Sequence, residues 1–153
     1  MAELIEQVHV DAPPDRVWAA LTDWTRQGEW MVATDVETID GPAQGVKGRL
    51  AARTGVPVPG RRRHLGVLDT MVITEWDPPR RIVVQHTGRV VRGPGIFALA
   101  PADGGTTFTW TERFVLPLGL LGRLGWPLVR PLVALGVRVS LRRFAAFARD
   151  HRG

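Results

Sequence analysis

Cysteine and tyrosine are absent from this 153-residue chain, Lys47 is its single lysine and Ser140 its single serine. Without cysteine there is no disulfide framework, no thiolate metal ligand and no thiol nucleophile. The lone serine sits mid-helix with no recognisable base beside it, so a nucleophilic triad is not expected. The 4 histidines, His9, His64, His86 and His151, are scattered without paired ligand spacing, and no metal is expected. GRVVRGPG is glycine-rich but joins two strand-like segments and opens no helix, so it lacks the aligned N–H groups of a phosphate cradle. No cofactor is expected. The opening MAELIEQVHV has none of the basic, apolar and small-residue order of a secretory signal, which leaves a cytoplasmic protein as the expectation.

What is present is enough apolar material for one core. With 44% hydrophobic and 23% charged residues, the chain reads as a single domain spanning residues 1–153. The net charge of +5 rests almost wholly on arginine. Those arginines are spread along the sequence rather than gathered on one segment, so nucleic acid is not expected as a partner.

Residues 2–10 fit a strand, and DAPPDRVWAALTDW then carries prolines at a helix start with Val17, Trp18 and Leu21 at helical spacing. A second short helix is expected across residues 25–31. ATDVETIDG and VKGRLAART read as strands, whereas TGVPVPGRRRHLG, rich in Gly, Pro and Arg, reads as a long loop. Its RRRH cluster is read as a solvated loop rather than an anion site. From Val67 to Phe114 period-2 alternation and short turns predict consecutive antiparallel strands. A long amphipathic C-terminal helix must then cover the sheet, giving an α+β fold of one strand, two short helices, about six more strands and the closing helix.

Three segments in this order resemble the START-like SRPBCC superfamily, and within it the polyketide cyclase/dehydrase and lipid-transport group. They are VHVDAPPDRVWAALTDWTRQGEW with Trp18, Asp23 and Trp30, ITEWDPPRRIVV, and DGGTTFTWTERF before the closing helix. The resemblance spans essentially the whole chain. It implies a helix-grip fold, a curved antiparallel sheet wrapped around the C-terminal helix, with an apolar cavity for lipids, sterols, polyketides or other hydrophobic ligands. Only some members of the superfamily are enzymes, so the cavity lining has to decide.

Strict alternation in TTFTWTERF puts Phe108, Trp110, Glu112 and Phe114 on one face, and the aromatics require that face to look inward. Glu112 therefore lies at the cavity, where its charge needs a partner, solvent or a proton. Ile82, Val84 and His86 share a face, as do Phe97 and Leu99. Glu112 and His86 are the candidate acid/base or anchoring pair, with an arginine at the cavity rim as the preferred partner for Glu112.

At 100° per residue, Val129, Val133, Gly136, Val137, Ser140, Phe144 and Phe147 gather on one helix face, with Arg138, Arg142 and Arg149 opposite. The first group is the expected cavity wall, Gly136 and Ser140 forming a shallow place on its floor. Arg123, Arg130 and Arg138 argue against a membrane span, while a transient contact with a membrane surface is left open. Pro127 and Pro131 predict a separate short helix or a kink at its front. The ligand-lining set is thus Phe97, Leu99, His86, Trp110, Glu112, Val133, Gly136, Val137, Ser140 and Phe144. The leading reading is a carrier of a hydrophobic small molecule, and the alternative is a cyclase, aromatase or dehydratase.

Overall fold

The computed structural model describes residues 2–60 and 64–152, so Arg61, Arg62 and Arg63 of the basic cluster lie outside the described residues. The chain opens with β1 (Ala2–Val10), which leads into α1 (Pro14–Leu21) and a 3-10 helix at Trp24–Glu29. Six strands follow: β2 (Thr34–Asp40), β3 (Arg49–Pro57), β4 (His64–Asp77), β5 (Arg81–Thr87), β6 (Arg92–Ala102) and β7 (Gly105–Phe114). The chain closes with α2 (Leu120–Asp150). Pro14 sits at the start of α1, where its missing N–H costs nothing, and Val17, Ala20 and Leu21 bury the inward face.

The strands form one antiparallel sheet in the order β1-β7-β6-β5-β4-β3-β2. From β2 onward consecutive strands are neighbours in the sheet, and only β1 returns to the far edge, pairing with β7 from Ala2↔Phe114 to Val10↔Thr106. That closure brings the two ends of the chain's β region together and leaves α2 to pack against β1 and α1. Trp30, Phe108 and Phe144 are the largest fully buried side chains. Phe144 of α2 makes edge-on contacts with the other two, at ring-centroid distances of 4.8 Å to Trp30 and 5.0 Å to Phe108. A second aromatic group, Trp18, Trp24 and Trp76, joins the short helices to the end of β4.

Two expectations change. The segment read as a long loop is mostly a hairpin: β3 and β4 stay paired from Arg49↔Val72 out to Pro57↔His64. β2 pairs with β3 only as far as Thr34↔Thr54, so the outer part of β3 has a free edge on which Pro57 needs no donor. The front of the last helix is not a separate short helix, since α2 is a single helix with Pro127 and Pro131 inside it, which leaves the kink of the two expectations. The carbonyls these prolines leave without a donor, those of Arg123 and Pro127, belong to exposed residues open to water.

Candidate functional site

Alternation on β7 buries Phe108, Trp110 and Glu112 on the concave face, while Arg113 points outward and its Nε donates to Glu3 at 2.7 Å. On β5 the same face carries Ile82, Val84 and His86, all buried, which fixes the phase that Val83 leaves open in the sequence. β5 and β7 are not neighbours, because β6 runs between them with Gly93 opposite His86 and Gly95 opposite Glu112. A Cβ at Gly95 would stand 3.0 Å from Glu112 Oε1 and 3.1 Å from His86 Nε2. The missing side chain opens the space in which the two groups meet across the intervening strand.

His86 Nε2 donates to Glu112 Oε2 at 3.1 Å, and on its other side Nδ1 donates to Asp69 Oδ2 of β4 at 2.6 Å. Trp110 Nε1 donates to Glu112 Oε1 at 2.7 Å. Glu112 thus meets a histidine and an indole, not the arginine expected at the rim. Burial of His86 favours loss of its proton, yet the hydrogen bonds and charges of Asp69 and Glu112 outweigh it and push the pKa up to about 10. Near neutrality the ring is an imidazolium with both N–H groups engaged. Asp69 Oδ1 is buried and has no hydrogen-bond partner among the described residues. The other histidines each pair with a different aspartate, His9 with Asp11, His64 with Asp35 and His151 with Asp23. Among the described residues no cluster of three or more His, Asp and Glu side chains could hold a metal ion.

The triad lies on the wall of a cavity of about 720 Å³ between the sheet and α2, within the size range of small-molecule pockets. Of the residues singled out in the sequence, His86, Phe97, Trp110, Glu112, Val133, Gly136, Val137 and Ser140 line it. Leu99 and Phe144 instead belong to the closed core beneath. Phe97 reaches the cavity, whereas Leu99, two residues further along β6, packs in the core. Ser140 Oγ accepts from Val32 N at 3.0 Å and donates to Gly136 O at 2.8 Å, tying α2 to the segment before β2. Gly136 leaves open space, since a Cβ placed there meets nothing within 4 Å. Sequence reasoning missed Asp69 and Gly95. The alternation of VLDTM places Asp69 in phase with Met71, which was a usable signal, whereas the role of Gly95 depends on the order of the strands.

A curved antiparallel sheet gripping a long C-terminal helix around an apolar cavity defines the helix-grip class of fold. Solved structures of low sequence identity share it. A protein from Thermus thermophilus superposes with a TM-score of 0.72 at 20% identity, over 96% of this chain and 97% of the other. One from Chromobacterium violaceum gives 0.71 at 18% identity, over 99% and 100%. Within this class the chain belongs to the family described as polyketide cyclase / dehydrase and lipid transport, which matches residues 1–149. Uncharacterized proteins from two strains of Mycobacterium tuberculosis are 26% identical over 151 residues, 95% of this chain and 97% of theirs.

Proposed function

We propose that this protein binds and carries a hydrophobic small molecule, a lipid, a polyketide or a similar compound, in the cytoplasm and without altering it chemically. The observation that carries this reading is a cavity whose walls are apolar and whose buried charges are held by one another. Leu50, Met71, Val84, Phe97 and Val133 surround the space, and Asp69, His86 and Glu112 are gathered on one part of its wall. Two carboxylates around one imidazolium leave an excess of acceptors. A ligand head that donates a hydrogen bond, an alcohol or an amine, fits there, and a carboxylate head would meet like charge.

The test is calorimetric titration with 1-dodecanol, dodecylamine and dodecanoate. Alcohol or amine should bind at least about tenfold more tightly than the acid, the difference expected when buried acceptors lack a donor. Absence of binding by all three would sink the carrier reading. Equal binding of all three would leave a carrier and remove the donor preference.

A second reading, a cyclase, aromatase or dehydratase, draws on the buried contact between Glu112 and His86. With its pKa near 10, His86 keeps its proton at neutral pH and is not available as a base. Glu112 would have to act with both oxygens already accepting hydrogen bonds. Turnover of a polyketone that Glu112→Gln abolishes would favour this reading over the carrier.

A further inference from the structure

The first half of α2 turns an apolar stripe to solvent. Leu120, Leu121, Leu124, Leu128, Leu132 and Leu135 range from 56 % exposed at Leu135 to 84 % at Leu128. At about 100° per residue their spacing places them on one face, the one turned away from Val133, Val137, Ser140 and Phe144. Leu132 and Leu135 also line the cavity, so the stripe and the cavity lining share these two residues. The outer part of the β3 and β4 hairpin adds to this. Val56 pairs with Leu65 and Thr54 with Val67, which puts Val56, Leu65 and Val67 on the same sheet face as cavity-lining Ala52, Thr54 and Asp69. All three are exposed. So many exposed apolar side chains beside a cavity mark an interaction site.

Charge selects the occupant. No aspartate or glutamate lies between Glu112 and Asp150. Arg138 pairs with Glu6 and Arg149 with Asp150, whereas Arg123, Arg130, Arg142 and Arg143 have no carboxylate partner among the described residues. At the same spacing Arg142 and Arg143 continue the side of the stripe, Arg143 also lining the cavity, whereas Arg123 and Arg130 project from the other side of the helix. A second copy of α2 laid parallel on this face would therefore set Arg142 and Arg143 against their own counterparts. An anionic lipid surface instead offers phosphates to the arginines and an acyl boundary to the leucines. Leu141, Phe144 and Ala148 are buried in the second half of the same helix, which ties α2 to the core and suits it to lying in the interface.

We propose that the leucine stripe of α2 seats this protein on an anionic membrane surface, with the cavity opening toward the lipid. The seat is separate from the cavity's choice of ligand. It is tested by co-sedimentation of the intact protein with vesicles of phosphatidylcholine alone and of phosphatidylcholine mixed with phosphatidylglycerol. Binding is expected to the anionic vesicles, to weaken as salt screens the arginines, and to be slight on phosphatidylcholine. Leu124→Gln combined with Leu128→Gln, neither residue lining the cavity, should lower vesicle affinity about tenfold or more. Its melting temperature and dodecanol titration should match those of the unaltered protein. Equal vesicle binding by the double variant would overturn the proposal. So would failure of the unaltered protein to bind anionic vesicles, including the case in which light scattering shows a dimer that the same substitutions split.

Discussion

At the scale of single residues, His86 sets how the site responds to pH. Its folded pKa of about 10 stands above the ordinary value of 6.5. The stabilisation from its two carboxylate partners is therefore fully present below about pH 6.5 and is lost progressively as pH rises to about 10. Thermal melts of the wild type should fall across that window, and the imidazole resonances should titrate near its upper end. His86→Ala would leave Asp69 and Glu112 facing each other without the cation, at a cost of about 3–5 kcal/mol in denaturant unfolding. Its stability should also lose the wild type's decline between those pH values. Gly95→Ala probes the same unit from the neighbouring strand. Its Cβ would crowd Glu112 Oε1, His86 Nε2 and Val84 Cγ2, all at 3.0–3.1 Å, costing about 1–3 kcal/mol. The His86 titration in that variant should move downward from 10 as the contact with Glu112 lengthens.

At the scale of the element, α2 serves two environments along one axis. Its second half is anchored by Phe144, packed edge-on against Trp30 and Phe108, and Phe144→Ala should cost about 3–5 kcal/mol through the cavity it leaves. Gly136 behaves in the opposite way. A methyl there meets open space, so Gly136→Ala should stabilise the protein by about 0.5–1 kcal/mol through helix propensity alone. Gly136→Leu projects a larger side chain into the cavity. It should leave the melting temperature unchanged or raised while abolishing dodecanol binding in the calorimeter, and undiminished binding would remove Gly136 from the cavity floor.

At the scale of the whole molecule, sheet, short helices and α2 share one core, so an occupant of the cavity stabilises all of them together. A ligand at a hundred times its dissociation constant adds about 2.7 kcal/mol. For a chain of this size that is a rise of roughly 5–10 °C in melting temperature. Differential scanning calorimetry should show a single transition that moves upward with dodecanol concentration. A transition that stays fixed would mean that the cavity does not take the alcohol.

Much of this architecture is legible along the chain because its causes are local. Alternation in TTFTWTERF sorts Trp110 and Glu112 from Thr109 and Arg113 wherever β7 lies, and helical spacing picks out Val133, Val137 and Ser140. Tertiary structure decided the rest. Whether Glu112 would meet an arginine or a histidine depended on strand order, which brings β4, β5 and β7 residues together over a glycine of β6. The outer parts of β3 and β4 have loop-like composition and are held by backbone pairing with each other. On α2 the periodicity marks two apolar stripes, one built from Val133, Val137 and Phe144 and one from leucines. Spacing singled out the first as the cavity wall, and packing of α2 against β1 and α1 leaves the leucine stripe exposed. A helix's own spacing records which residues share a face, and the direction of that face is set by what the remainder of the chain leaves uncovered.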